Sequence, residues 1–148
     1  MKRAALALAS VCGLGRCPLA PGTVGALVGV LLYLAIFTLS WQVYLLITAV
    51  LFVLGVWASS VAEEVTGTKD PSRIIIDEVV GYLITMLWIP FSVPALVIGF
   101  ILNRVLDIVK PYLAGRIQSL HGGLGVMADD LVSSIYANLV LRLILYFI

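Results

Sequence analysis

Charged residues divide this chain into long apolar stretches joined by short polar links. No charge interrupts the segment from Cys17 to Ala62 or the segment from Val79 to Asn103, and Leu131 to Ile148 carries only Arg142. About 20 apolar residues suffice for a helix to cross the hydrocarbon core of a bilayer, so each stretch is a spanning candidate. The first, about 45 residues long, exceeds one helix and is broken at Ser40-Trp41-Gln42, which predicts two antiparallel spans near 23–39 and 42–62. The polar segment 63–78 then returns the chain to the side of its N-terminus.

The second stretch contains Pro90-Phe91-Ser92-Val93-Pro94. Each proline lacks an N–H and clashes with the preceding turn, so two of them four positions apart break a helix. Two helices are expected, over about 72–89 and about 94–110, folded antiparallel about Ser92. Asp77 and Asp107 each lie fifteen residues from that turn, and at equal rise per residue they reach the same depth. After Lys110-Pro111 a polar link leads to His121-Gly122-Gly123-Leu124-Gly125, and Asp129-Asp130 precede the last span. The pattern predicts an all-α fold: one membrane-embedded domain over 1–148, a polytopic bundle of about five hydrophobic helices with a polar active-site face at one edge.

Composition agrees. Hydrophobic residues make up 62% and charged residues 11% of the chain, with a mean hydropathy of +1.15, far above the soluble norm. A net charge of +1 excludes the basic face of a nucleic-acid binder. In the predicted topology eight of the nine Lys/Arg fall on the N-terminal side, which the positive-inside rule makes cytoplasmic. Lys2-Arg3 and the Ala/Leu run after them imitate a signal peptide, but the run is short and passes into Gly13, Gly15 and Arg16; an amphipathic interfacial helix accounts for it as well. Cys12 and Cys17 have no zinc-ligand spacing around them. Trp41, Trp57 and Trp88 fit an aromatic belt, and Arg142 is expected to snorkel to the nearer interface.

The acidic residues carry the chemical signal. Asp77-Glu78, Asp107 and Asp129-Asp130 flank hydrophobic spans in three separate places. Like charges at a membrane edge repel and resist desolvation unless a cation holds them, and magnesium prefers hard oxygen ligands. A shared metal site explains the repetition; helix-end charges paired with Arg73, Arg104 or Lys110 are the plainer alternative. Asn103 lies one helical turn before Asp107, and Arg104 three residues before it. The glycines of His121–Gly125 can bend backbone N–H groups round an anion before a helix N-terminus near Asp129, or form a simple turn. In Pro18–Thr23, Thr23 is placed as an N-cap; the functional alternative makes it a hydroxyl ligand beside Arg16 as a phosphate clamp. His121, the single histidine, can serve as nucleophile, general acid or loop residue.

Four segments in order, Pro18–Leu27 (PLAPGTVGAL), Asp77–Gly81 (DEVVG), Arg104–Pro111 (RVLDIVKP) and His121–Asp130 (HGGLGVMADD), resemble the phosphatidylglycerophosphatase A family over nearly the whole chain. The resemblance implies a magnesium-dependent phosphatase of phospholipid biosynthesis, multi-pass in the bacterial inner membrane with its active site facing the cytoplasm. It would hydrolyse phosphatidylglycerophosphate, a membrane phospholipid, to phosphatidylglycerol and inorganic phosphate. The family's acidic motifs fall on Asp77, Glu78, Asp107, Asp129 and Asp130, which would hold one or two magnesium ions and activate water. On this reading Asp77, Asp129 and His121 are catalytic, and Arg16, Thr23, Arg104, Lys110, Gly122 and Gly123 bind substrate. No Cys-x5-Arg loop or Asp-x-Asp phosphoacceptor motif occurs. A small ion-coupled transporter is the alternative, with the carboxylates as its cation site, but transport sites lie near the bilayer midplane at a repeat interface, where these spans have no carboxylate. An inactive scaffold leaves the clustered acids unexplained. Spans this few and short allow pairing into a homo-oligomer.

Overall fold

The computed structural model describes residues 1–18, 20–69, 71–109 and 122–147, so the expectations placed on Lys110 and His121 lie outside the described residues. Among those described the protein is all-helical. The described residues form six α-helices, α1 (Lys2–Ala9), α2 (Pro21–Ile36), α3 (Trp41–Thr66), α4 (Ile76–Thr85), α5 (Val93–Val109) and α6 (Gly123–Phe147), with a 3-10 turn at Leu14–Arg16. Two of them, α3 and α6, are long and apolar enough to cross a membrane. Helix α1, over the N-terminal run expected as an amphipathic interfacial helix, buries Ala5 and Ala9 against α3 while Lys2 and Arg3 stay exposed.

Helix α2 begins two residues before the predicted span because Pro21 takes its first position, where a missing N–H costs nothing and φ is already helical. Its N-cap is therefore Ala20 and not Thr23, which falls within the first turn. Helix α3 runs past the predicted residue 62 through Glu63 and Glu64 to Gly67, whose left-handed φ of 65° lets its N–H reach back to the Glu63 carbonyl at 2.9 Å. Ser92 caps α5: its Oγ accepts the Ala95 N–H at 3.2 Å, so the predicted break at 90–94 is a built helix start.

Helix α4 differs most from expectation, with 10 residues where the pattern promised 72–89. Tertiary partners cut it at both ends. Before it, the Ile75 N–H is committed to the Ala9 carbonyl at 2.9 Å. After it, Asn138 Nδ2 donates to the carbonyls of Thr85 at 2.8 Å and Leu87 at 2.9 Å, satisfying acceptors that a helix end leaves open. Arg142 does not merely snorkel: it donates from Nε to Asn138 Oδ1 at 2.8 Å and from an Nη to Leu87 O at 3.0 Å. A helix this short rises about 15 Å, half of what a bilayer core requires. It sits instead in the middle of the bundle, packed mainly by α2 and α6, with all but one of its residues buried.

Glycines set how closely the neighbours approach. A Cβ on Gly25 would lie 2.8 Å from both Glu78 Cβ and the Ile75 carbonyl oxygen, and one on Gly29 would lie 2.8 Å from Tyr82 Cβ. The small residues of α2 thus let its backbone ride on α4, the packing mode favoured where lipid removes the hydrophobic drive between helices.

Candidate functional site

The short central helix delivers its first turn to the place where α5 ends and α6 begins. Glu78 from α4, Asp107 from α5 and Asp130 from α6 each bring a carboxylate oxygen within 4.8 Å of the others. Arg104, one turn before Asp107, pairs through Nη1 with Glu78 Oε2 and with Asp107 Oδ2 at 3.1 Å. Asp77 and Asp129 are buried as well, but lie outside this triple.

Three carboxyl groups gather beside one guanidinium in a largely buried place, with Asp77 and Asp129 buried next to them in sequence. Buried like charges are strongly unfavourable unless neutralised. Several all-oxygen donors converging from three helices are the coordination a hard divalent cation takes. The cluster can hold a metal ion.

Beneath the carboxylates lies a layer of uncharged hydrogen bonds. Asn103 Oδ1, one turn before Asp107, accepts from Thr85 Oγ1 of α4 at 2.9 Å and from Ser134 Oγ of α6 at 3.1 Å, all three residues being buried. Gly81 makes room for it: a Cβ there would lie 2.7 Å from Ser134 Oγ and 3.7 Å from Asp130 Oδ2. The helices that supply the carboxylates are thus held together by an amide and two hydroxyls directly below them. Thr85, Ser134 and Asn138 were not anticipated, although Asp130, Ser134, Asn138 and Arg142 recur every fourth residue through an otherwise apolar helix, a polar stripe legible in the sequence.

On the other side, the first turn of α2 closes on the cluster. A Cβ on Gly22 would collide with Glu78 Oε1 and lie 2.8 Å from an Arg104 Nη. The Pro18–Leu27 motif therefore packs directly against the ion pair. Thr23, the next residue, is half-buried. Arg16 is exposed in the 3-10 turn and lines recesses shared with Arg3 and with Arg73, not with the carboxylates. Gly122 has a left-handed φ of 72°, and α6 starts at Gly123, six residues before Asp129. The Gly123 N–H is engaged by Ser60 Oγ at 2.9 Å, and the Gly125 N–H by the Gly122 carbonyl at 2.9 Å.

The family model for phosphatidylglycerophosphatase A matches residues 7–145. A protein of Bacteroides thetaiotaomicron provisionally named a phosphatidylinositol-3-phosphatase is 38% identical over 133 residues, covering 84% of this chain and 83% of its own length. The phosphatidylglycerophosphatase A of Escherichia coli K12 is 34% identical over 141 residues, covering 92% and 78% respectively. That of Haemophilus influenzae is 35% identical over 130 residues, covering 86% and 80%. No solved structure matches the chain.

Proposed function

Because the chain belongs to the phosphatidylglycerophosphatase A family, we propose that it is a membrane-embedded lipid phosphatase that hydrolyses phosphatidylglycerophosphate to phosphatidylglycerol and inorganic phosphate. The observation that carries this reading is the meeting of Glu78, Asp107 and Asp130 with Arg104 at one end of the bundle. All-oxygen carboxylate donors favour magnesium over softer metals. Bound there, magnesium would offset charge on the phosphate oxygens and acidify a water at neutral pH.

The chain's own groups account for the rest of the chemistry. Glu78, Asp107 and Asp130 hold the cation, while Asp77 and Asp129 are placed next to them in sequence to take the proton of the attacking water. Arg104 sits where a guanidinium can offset charge gathering on the transferred phosphoryl group, held in place by its two carboxylate partners. Thr23, Lys110, Gly122 and Gly123 belong to the substrate side of this reading, and His121 to protonation of the departing glycerol oxygen; Arg16, which lines recesses away from the carboxylates, is not part of it. The Asn103 layer fixes α4, α5 and α6 so that the carboxylates stay in place without substrate.

In this reading α2 to α6 form the five hydrophobic helices of one domain, with the carboxylate end at the cytoplasmic edge of a bacterial inner membrane. The bacterial relatives, the apolar α3 and α6 and the positive-inside distribution support it. The relative named for a phosphoinositide raises the headgroup as a second question. Phosphate release from phosphatidylglycerophosphate and from phosphatidylinositol 3-phosphate, compared as kcat/KM in detergent micelles, answers it. A preference for the glycerophosphate lipid by about tenfold or more is expected. A preference for the inositide reassigns the substrate, and release from neither lipid by folded protein removes the phosphatase reading.

A further inference from the structure

We propose that the recess between α1 and the Leu14–Arg16 turn is a docking site for the phosphate of an anionic membrane phospholipid, separate from the carboxylate cluster. The recess has a volume of about 440 Å³ and is walled by Arg3, Leu6, Ala7, Ser10 and Arg16, with no acidic residue among the described residues of its lining. Arg16 is also a wall of an adjoining recess of about 150 Å³ that contains Arg73 and Thr66. Two arginines therefore line one cavity and a third lines the recess next door. Among the described residues none of the three is in an ion pair. A guanidinium presents a planar fork of donors that matches phosphate oxygens and is weakly enough hydrated to give up water to them.

The convergence is built into the backbone. Arg3 and Arg16 are brought together by a tight turn in which Val11, Cys12 and Gly13 all take positive φ, of 46°, 56° and 92°. For valine and cysteine this conformation costs free energy, and such strain persists only where surrounding structure enforces it. Ser10 enforces it here: its Oγ donates to the Leu6 carbonyl at 2.7 Å and accepts the Gly13 N–H at 3.1 Å. The Gly15 backbone then presses on the Arg73 carbonyl, closing the turn against the segment that leads into α4.

Two features select a lipid over free phosphate. The walls contributed by Leu6 and Ala7 are apolar, and Met1 and Leu14 are exposed on the same hairpin, so an acyl chain has surface to cover. Helix α1 also lies along α3, one of the two helices able to cross a bilayer, with Lys2 and Arg3 exposed. Basic residues at a membrane surface attract anionic lipid.

The site stands whether or not the phosphatase reading holds, and the test keeps the two apart. The full chain is purified in dodecyl maltoside micelles doped with phosphatidylglycerol or phosphatidylcholine, and retained lipids are counted by native mass spectrometry. Wild type is expected to retain one phosphatidylglycerol more than Arg3→Gln or Arg16→Gln, with phosphatidylcholine retention unchanged. Asp130→Asn, altered only in the carboxylate cluster, is expected to retain phosphatidylglycerol like wild type. Equal retention by wild type and both arginine variants overturns the proposal. So does retention lost in Asp130→Asn and kept in Arg3→Gln, which places the lipid at the cluster instead.

Discussion

Replacing Gly25 by alanine tests whether the approach of α2 to α4 holds the carboxylate site in register. The new Cβ would lie 2.8 Å from Glu78 Cβ and 2.8 Å from the Ile75 carbonyl oxygen. The second neighbour is backbone and cannot rotate away. Ordinary contact begins at 3.4 Å, so α2 must retreat from α4 by about 0.6 Å, the difference between the two distances. Forcing a methyl into such packing costs about 1–3 kcal/mol, which a bundle of ordinary stability survives in the folded state. The retreat moves Gly22 off the Glu78–Arg104 pair and displaces Glu78, whose own Cβ is one of the clashing atoms. Misplacement of reacting groups by about 1 Å can cost on the order of 100-fold in rate, so a loss of about 10- to 100-fold in kcat is expected. The assay is phosphate release from phosphatidylglycerophosphate in micelles, paired with thermal unfolding in the same detergent. Leu27→Ala is the control: it lies on the same helix, is 50% exposed, and is expected to leave kcat unchanged. Wild-type kcat and wild-type melting for Gly25→Ala would show that the approach of α2 to α4 does not hold the carboxylates in register.

Three further expectations follow from the same geometry. Asn138→Leu removes the donor to the Thr85 and Leu87 carbonyls and should destabilise the bundle by about 1–2 kcal/mol in detergent unfolding, at roughly 0.6–1 kcal/mol per intramembrane bond; an unchanged melting temperature contradicts the capping role. Asn103→Ala leaves the buried Ser134 hydroxyl without its acceptor, while Thr85 keeps the Gly81 carbonyl at 3.1 Å, and should cost about 1–3 kcal/mol, with magnesium affinity by titration calorimetry falling alongside kcat. If affinity holds while stability falls, the amide layer supports the fold but not the site. Arg104→Gln removes the cation beside Glu78 and Asp107; magnesium binding should survive or tighten while kcat/KM falls by about tenfold or more, and loss of magnesium binding would show that Arg104 organises the carboxylates.

How far the sequence could be read depended on whether the information was local. The breaks at Ser40 and Ser92 and the apolar stretches are local, and α2 and α5 lie within about three residues of where the pattern placed them. Helix α4 failed because its limits are set by Ala9 and Asn138, residues 66 and 53 positions from the atoms they bond, at Ile75 and Thr85. No window over 72–89 contains either. Thr23 was misplaced as a cap because its hydroxyl outweighed Pro21, whose fixed φ already opens the helix. The acidic residues were legible as a set, since charges flanking apolar spans stand out in any reading. Which of them stand nearest one another was not: depth along a hairpin brought Asp77 to the level of Asp107, and the structure brings Glu78 within reach of Asp107 as well. Depth follows from residue counting, but rotation about the helix axis depends on where the helix starts and on what α2 and α6 press against it.

In the proposed function Glu78, Asp107 and Asp130 hold a divalent cation on which lipid dephosphorylation depends. The direct measurement is phosphate release from phosphatidylglycerophosphate by wild type and Asp130→Asn, each with magnesium and with EDTA, alongside magnesium binding by calorimetry and a melting curve for each. Several kcal/mol of charge stabilisation are at stake, which corresponds to about 100-fold or more in rate. Wild-type release that EDTA abolishes, and a folded Asp130→Asn that has lost both release and magnesium binding, is the predicted result. Release that continues in EDTA, or in an Asp130→Asn variant that no longer binds magnesium, would contradict it.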